Sequence, residues 1–174
     1  SFVYEFCLVI IKILGLFVPK IKEFLNSRDR ILDDIRNFNN SKNSFIIWVH
    51  CSSMGEFEQI KPLLKKIKKT KPVTEFVITF FSKSGFSSAK KFPDAKIITY
   101  LPFDRKKDLN HFIIKIKPKA LLLVKNEFWP NLINCAHNAD IKIFSISSTF
   151  RKSQLFFNLY SFGMVSVLKK INCF

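Results

Sequence analysis

The stretch WVHCSSMGEFEQ, residues 48–59, decides the fold because the apolar pattern changes its period inside it. Residues 45–49, FIIWV, are aromatic or β-branched and predict a buried parallel strand. After the small residues of the stretch, apolar side chains recur at helical spacing, at Phe57, Ile60, Leu64 and Ile67. Open α/β sheets bind ligands in the crevice beyond the carboxyl ends of their strands. Glu56 stands at this turn and is therefore the first candidate for a reactive side chain.

Strand-like and helix-like segments alternate through the rest of the chain. The patterns predict strands at 75–81, 96–101, 120–124 and 141–146, and helices at 87–92, 106–116 and 128–136. Such alternation is typical of βαβ units and predicts an α/β fold, a Rossmann-like parallel sheet with helices on both faces. The sequence has neither a Gly-rich dinucleotide turn nor a Walker phosphate loop. Hydride transfer and NTP hydrolysis therefore lose most of their support, and no cofactor is expected.

The chain has 174 residues and a formal net charge of +16, from 29 Lys and Arg against 13 Asp and Glu. Its length allows one domain with appendages, and its 48% hydrophobic content excludes a disordered chain. Excess positive charge can indicate a nucleic acid or membrane partner. Here the basic residues are scattered, so we expect solvated surfaces and no nucleic acid partner. A non-catalytic basic module that binds a membrane or nucleic acid is the alternative.

The four cysteines are far apart and lack the paired spacing of metal or redox motifs: Cys7, Cys51, Cys135 and Cys173. They are typical of reduced thiols in a cytosolic setting. The pairs His50-Cys51 and Cys135-x-His137 do not have the spacings that structural zinc sites favour. We therefore expect no metal site, and we interpret these residues as parts of the core or the surface.

Residues 2–18 are almost continuously apolar and are interrupted by Glu5 and Lys12. The segment is slightly short for a membrane-spanning helix, and it carries two charges. Residues 1–30 are therefore predicted to form a membrane-associated segment, whose basic flank keeps the following chain on the cytoplasmic side. A buried amphipathic helix that packs on the domain is the alternative. After a polar linker, residues 44–174 are predicted to form the Rossmann-like domain.

Two further polar groups follow predicted strands in the way that Glu56 does. Glu127 follows one strand, and the strand after it is followed by Ser147, Ser148 and Arg151. Because the carboxyl ends of parallel strands meet at one edge of a sheet, we expect these groups to stand together. A pair of carboxylates beside a guanidinium suits the deprotonation of a hydroxyl and the orientation of anionic groups.

Five motifs occur in this order along the chain: WVHCSSMGEFEQIKP, TFFSKSGF, YLPFD, KPKALLLVKNEFWPNLI and SISSTFRKSQLFF. Their residues and their order resemble the N-terminal half of the 3-deoxy-D-manno-octulosonic acid (Kdo) transferases, and the resemblance runs from about residue 48 to residue 157. Enzymes of that family attach Kdo to the lipid A precursor.

The resemblance implies a two-domain glycosyltransferase of the GT-B type, of which this chain supplies the N-terminal, acceptor-binding domain. It implies CMP-Kdo as the donor and the lipid A precursor, an acylated glucosamine disaccharide, as the acceptor. It also implies a location at the cytoplasmic face of the inner membrane. The resemblance further implies a reaction that inverts the anomeric carbon and needs neither a metal nor a cofactor.

The family motifs also suggest roles for single residues. Glu56 matches the acid of the S-x-G-E motif, which is the general base of the family. Glu127 matches the acid of E-F-W-P-N, which is associated with stabilising the transition state. For both acids the alternative role is stabilisation of a helix N-terminus. The other candidates for substrate binding are Ser52, Ser53, Gly55 and Arg151. The alternative role of the first three is the shaping of the turn, and that of Arg151 is an exposed salt bridge.

The chain departs from the family pattern at several positions, among them Ile60 and Lys83, and in its extent. Lys125 stands where many relatives carry an acid, and the form K-N-E-F-W resembles the Bacteroidetes branch. The family's CMP-binding residues lie in a second Rossmann-like domain that this sequence does not contain. We therefore expect the chain to be a fragment, or the product of a split or decaying gene, and to be inactive by itself.

Overall fold

A computed structural model describes residues 2–36, 38–39, 44–89, 92–150 and 162–174 of the chain. Its elements, in chain order, are α1 (Phe2–Phe17), α2 (Pro19–Arg36), β1 (Phe45–Cys51), α3 (Met54–Thr70), β2 (Thr74–Phe80), α4 (Lys83–Ala89), β3 (Ala95–Tyr100), α5 (Lys106–Ile116), β4 (Ala120–Val124), α6 (Pro130–Asn138), β5 (Lys142–Ile146) and α7 (Phe162–Leu168). From β1 to β5, strands and helices alternate as the sequence predicts.

The strands form one five-stranded parallel sheet in the order β3-β2-β1-β4-β5. The chain adds β2 and β3 on one side of β1 and then returns to add β4 and β5 on the other side. This is the strand order of a Rossmann half, and the order reverses between β1 and β4. The predicted Rossmann-like parallel sheet is confirmed. Its ligand crevice is expected beyond the carboxyl ends of β1 and β4.

Helices cover both faces of the sheet because successive strand residues point to opposite faces. On β1, Ile46 and Trp48 belong to one hydrophobic core, and Ile47 and Val49 belong to the other. The first core packs α2, α5, α6 and α7 against the sheet, and the second packs α3 and α4. Full burial of one large apolar side chain contributes about 1.5–3 kcal/mol, so both layers stabilise the fold.

The helix predicted at 87–92 is wrong in its position, because α4 begins at Lys83, where the sequence SKSG predicts a turn. Ser82 Oγ accepts a hydrogen bond from Gly85 N–H at 3.3 Å, as the side chain of an N-cap residue does. Gly85 is buried, and a Cβ atom at this position would overlap the Phe80 ring. The start of α4 is therefore set by close packing on the sheet, which apolar periodicity does not reveal.

The first two helices pack against each other, and α2 joins the core through Ile31 and Ile35. Arg28 connects α2 to the loop after β2, because its Nη2 donates to the Phe81 carbonyl at 2.7 Å. Among the residues that the structure describes, no helix combines the length and the apolar character needed to cross a membrane. Apolar side chains of α1 are nevertheless exposed: Val9, Ile10, Ile13, Leu14, Leu16 and Phe17.

The outer side of β5 is paired with the segment after α7. Ser145 N–H donates to the Cys173 carbonyl at 2.9 Å, and Asn172 N–H donates to the Ile143 carbonyl at 2.8 Å. Phe144 and Cys173 form a parallel bridge. Residues 172–173 therefore pair with the outer side of β5 through an isolated bridge.

Candidate functional site

Glu56 and Glu127 both lie at the carboxyl edge of the sheet. Glu56 is in the first turn of α3, directly after β1, and Glu127 is in the loop between β4 and α6. β1 and β4 are neighbouring strands, with His50 opposite Leu123. The fold thus brings both acids to the place where the strand order reverses, which we call the crevice.

Backbone groups hold Glu56 in place. Ser53 is the N-cap of α3, and its hydroxyl accepts from Glu56 N–H at 3.4 Å. In return, Glu56 Oε2 accepts from Ser52 N–H at 2.5 Å, an arrangement close to a capping box. Glu56 is only 8% exposed, yet its Oε1 has no hydrogen-bond partner among the described residues and is not one of their buried unsatisfied atoms. One carboxylate oxygen is therefore fixed by the backbone, and the other is uncommitted among the described residues.

Side chains hold Glu127. Trp129 Nε1–H donates to Glu127 Oε2 at 2.9 Å, and His50 Nε2 lies 3.6 Å from the same oxygen. Burial alone would raise the pKa of Glu127, but polar contacts with His50, Ser52 and Trp129 outweigh this effect and hold the pKa below its usual range. Glu127 is therefore a carboxylate at neutral pH.

Ser52 connects the two acids, because its backbone N–H donates to Glu56 and its side chain contacts Glu127. Next to it, Cys51 is fully buried. Burial and the negative charges of Glu56 and Glu127 raise the pKa of the Cys51 thiol far above its usual range. Such a thiol is not a nucleophile, since the thiolate is the reactive form. Both carboxylates therefore lie close enough to this thiol to act on it.

The loop that carries Glu127 is fastened to the loop after β5. Asn126 Nδ2 donates to the Thr149 carbonyl at 2.8 Å, and Asn126 Oδ1 accepts from Thr149 N–H at 3.1 Å. Ser148 Oγ donates to the Lys125 carbonyl at 3.0 Å, and Lys125 has a left-handed backbone with φ 60°. The predicted serine after β5 therefore lies against the Glu127 loop and stabilises its shape.

Asp104 fixes the start of α6. This buried residue accepts from Leu132 N–H at 2.8 Å through Oδ1 and from Asn131 N–H at 3.1 Å through Oδ2. It satisfies the free N–H groups of the first helical turn as an N-cap does, although it comes from the loop after β3. Burial raises the pKa of Asp104, and these hydrogen bonds oppose the rise. The contact joins the motifs YLPFD and EFWPN, and it anchors the end of the Glu127 loop.

The other predicted binding residues differ in their contacts. The Ser52 amide is already bonded to Glu56, and Ser53 caps α3. At Gly55, which is exposed and has no positive φ, a Cβ atom would meet nothing within 4 Å. Neither packing nor backbone conformation requires this glycine, and the space beside it is open. Arg151 lies outside the described residues.

The sequence predicts a core or surface position for His50, and the structure places it in the core, fully buried, where it also lies against Glu127. A signal was available, since His50 is the single ionisable side chain in an otherwise apolar strand, apart from the thiol of Cys51. Among the described residues, no three His, Cys, Asp or Glu side chains are grouped so that they could hold a metal ion.

Comparison with protein families matches residues 26–174 to the 3-deoxy-D-manno-octulosonic-acid transferase (kdotransferase) family. A bifunctional glycosyltransferase/methyltransferase of Fusobacterium nucleatum is 35% identical over 159 residues, which cover 89% of this chain and 24% of that protein. The 3-deoxy-D-manno-octulosonic acid transferase of Aquifex aeolicus is 36% identical over 88 residues, 50% of this chain and 24% of the relative. The transferase of the same name from Haemophilus influenzae is 32% identical over 89 residues, 51% of this chain and 21% of the relative.

The chain therefore spans about a quarter of the length of these relatives. The placement in the Bacteroidetes branch stays a prediction. All five motifs that carry the resemblance lie inside the matched residues. The family match covers the whole sheet and both acids at its edge, and it shows that this chain belongs to the 3-deoxy-D-manno-octulosonic-acid transferase family.

Proposed function

We propose that this chain is the acceptor-binding domain of a glycosyltransferase that moves Kdo from CMP-Kdo to the lipid A precursor of lipopolysaccharide. One observation carries the proposal: Glu56 and Glu127 lie together at the reversal of strand order, and both contact Ser52. Open α/β sheets bind their ligands at this place. Relatives named as 3-deoxy-D-manno-octulosonic acid transferases support the choice of Kdo as the transferred group.

In the proposed reaction Glu56 is the general base. Its Oε1 accepts the proton of an acceptor hydroxyl, and the hydroxyl oxygen forms a bond to the anomeric carbon of Kdo. The bond from that carbon to the phosphate oxygen of CMP breaks, and CMP leaves with the electron pair. Attack from the side opposite CMP inverts the carbon, so one base suffices and no covalent intermediate forms. The hydrogen bond from Ser52 N–H to Oε2 supports this role because it orients the carboxylate and leaves Oε1 available.

Glu127 acts as a fixed negative charge in this proposal. Positive charge develops at the anomeric carbon as the bond to CMP lengthens, and a preorganised carboxylate stabilises it. The lowered pKa of Glu127 supports the role, since the side chain is ionised at neutral pH. Open space at Gly55 gives the acceptor access to Glu56. We assign contacts with anionic groups of the substrates to Ser53 and Arg151.

The donor is proposed to bind outside this chain. The curated relatives are about four times as long as the segment they share with it, and we place the CMP-binding residues in their remaining length. The chain by itself is then expected to bind the acceptor without transferring Kdo. Binding of an acylated glucosamine disaccharide to the isolated chain, measured by calorimetry, checks this expectation.

We further propose that α1 rests on the cytoplasmic face of the inner membrane, where the lipid acceptor is found. The exposed apolar side chains of α1 support this, with Leu16 78% and Phe17 79% exposed. Flotation with vesicles of anionic phospholipid tests the proposal. The double variant Leu16→Asp/Phe17→Asp is expected to stay in the bottom fraction while wild type floats. Equal flotation of both chains contradicts it.

The decisive experiment joins this chain to the CMP-binding domain of a family member and measures Kdo transfer from CMP-Kdo by the mass of the lipid product. Glu56→Gln is expected to stop transfer and to preserve the fold, because the Gln side-chain oxygen can still accept from Ser52 N–H. Glu58→Gln is the matched control: this acid lies in the same helix, is exposed and pairs with Lys61. Transfer that survives in Glu56→Gln excludes Glu56 as the base.

A further inference from the structure

His50 is fully buried on β1, between Thr79 of β2 and Leu123 of β4. Its Nδ1 lies 3.1 Å from the Thr79 carbonyl oxygen and 3.1 Å from Thr79 Oγ1. The hydroxyl proton of Thr79 is directed to the Val49 carbonyl at 3.3 Å, and the same oxygen accepts from Trp48 Nε1–H at 2.9 Å. Both atoms that face Nδ1 are therefore acceptors. Nδ1 must carry a hydrogen.

The other ring nitrogen of His50 faces Glu127. Nε2 is buried without a hydrogen-bond partner among the described residues, and it lies 3.6 Å from Glu127 Oε2. A neutral imidazole with its hydrogen on Nδ1 would direct the lone pair of Nε2 at a carboxylate oxygen, which is repulsive. A second hydrogen on Nε2 turns the contact into an attraction between imidazolium and carboxylate. The geometry therefore requires one proton between the two side chains.

We propose that His50 is a positioning residue, whose proton on Nε2 holds Glu127 as a carboxylate directed into the crevice beside Glu56. Trp129 Nε1–H donates to the same Oε2, so imidazolium and indole together fix the direction of the carboxyl group. The role in transfer rests on the proposed function, whereas the contact itself is a property of this chain. Without a charged partner, burial would favour the neutral acid, which cannot stabilise developing positive charge.

Other titratable groups face this pair, and they strengthen the argument. Cys51 on β1 stays a neutral thiol, because burial and the two carboxylates raise its pKa. Glu56 on α3 brings a second negative charge to the crevice. The neighbouring strands contribute Thr79 and Leu123, which do not titrate near neutral pH. An imidazolium at His50 thus offsets one of two adjacent carboxylates and reduces their mutual repulsion.

Carbon-13 NMR of the full chain, labelled at the glutamate carboxyl carbons and titrated with acid, tests the proposal without any turnover. The signal of Glu127 is identified by its loss in Glu127→Gln. In His50→Gln the pKa of Glu127 is expected to rise, because its charged partner is gone. His137→Gln is the control, since His137 is exposed at the end of α6 and leaves the titration unchanged. An unmoved Glu127 in His50→Gln, or an equal rise in the control, overturns the proposal.

Nitrogen-15 NMR of the histidine rings gives a second readout that does not need a folded His50 variant. In wild type, both ring nitrogens of His50 are expected to carry a hydrogen. In Glu127→Gln the new amide can donate to Nε2, so Nε2 loses its hydrogen and Nδ1 keeps its own. An unprotonated Nε2 in wild type overturns the proposal. Neither NMR result depends on transfer by the joined enzyme, so a failure of the proposed function is recognised separately.

Discussion

The β1–α3 turn and the β4–α6 loop each bring one acid to the crevice, but they hold it by different means. The turn holds Glu56 through the backbone N–H of Ser52, within a single stretch of chain. The loop holds Glu127 through side chains, His50 from another strand and Trp129 from its own loop. The first arrangement is local and leaves an oxygen available. The second depends on the assembled sheet and fixes a charge.

This difference indicates which catalytic role suits each acid. A base must exchange a proton with the substrate, so a carboxylate with one uncommitted oxygen fits that role. A charge that stabilises a transition state must stay ionised and immobile, so donors from several side chains fit Glu127. Each prediction below changes one of the two arrangements and leaves the other intact.

The largest expected effect separates the acids kinetically in the joined two-domain enzyme. Glu56→Gln is expected to lower the transfer rate by about 10²- to 10⁴-fold, the range of general base catalysis. Glu127→Gln is expected to lower it by about 10²-fold, because one electrostatic contact to the transition state is lost. Single-turnover transfer of Kdo measures both. A larger loss in Glu127→Gln than in Glu56→Gln would reverse the assignment of roles.

The next largest effect is expected from substitutions of two glycines at or beside the β1–α3 turn. Gly85→Ala is expected to destabilise the fold by about 1–3 kcal/mol, because its Cβ would overlap the Phe80 ring and press on the Ser53 backbone. Gly55→Ala is expected to leave stability unchanged or to raise it by up to about 1 kcal/mol, and to weaken acceptor binding. Urea unfolding and calorimetry measure the two properties. Full acceptor affinity in Gly55→Ala contradicts the use of that open space.

A smaller effect is expected from substitution of Asp104, which anchors the end of the β4–α6 loop. Asp104→Ala is expected to cost about 1–2 kcal/mol of stability, since the first turn of α6 loses its acceptor. Asp33→Ala is the control, because its exposed pair with Arg36 contributes about 0–1 kcal/mol. Urea unfolding measures both variants. Equal losses would show that Asp104 does not act as the cap of α6.

The smallest expected effect is the contribution of Glu127 to the pH dependence of folding stability. Its folded-state pKa is lowered, so its stabilising contribution is present above the pKa of the unfolded chain and is lost as the pH falls through the lowered value. Wild type should therefore lose more stability than Glu127→Gln between about pH 7 and about pH 3. Urea unfolding at both pH values gives the difference. Parallel losses in the two chains would mean that the native contacts do not favour the ionised acid.

Local apolar periodicity was sufficient to predict most of the sheet. The helix predicted at 106–116 and the strand predicted at 120–124 have the bounds that α5 and β4 show. In both, the period of the buried residues alone decides the structure. The position of α4 was predicted wrongly because its start depends on Gly85 lying against Phe80, a contact between elements.

The site was predictable to the extent that it depends on topology. Glu56 and Glu127 follow strands of a parallel sheet, so their placement at one edge could be expected, and their roles stay predictions. The sequence marks His50 as an ionisable side chain in an apolar strand, but its contacts could not be predicted, because Thr79 holds one ring nitrogen and a loop from another strand meets the other. No pattern along one segment contains that information.

The pairing of residues 172–173 with β5 bears on self-association. An unpaired strand at the border of an apolar sheet is a template onto which strands of other molecules can add. Here the backbone groups of Ile143 and Ser145 are taken by the same chain, so a foreign strand must first displace that short segment. Its removal would uncover the outer backbone groups of β5 and so favour pairing with strands of other molecules.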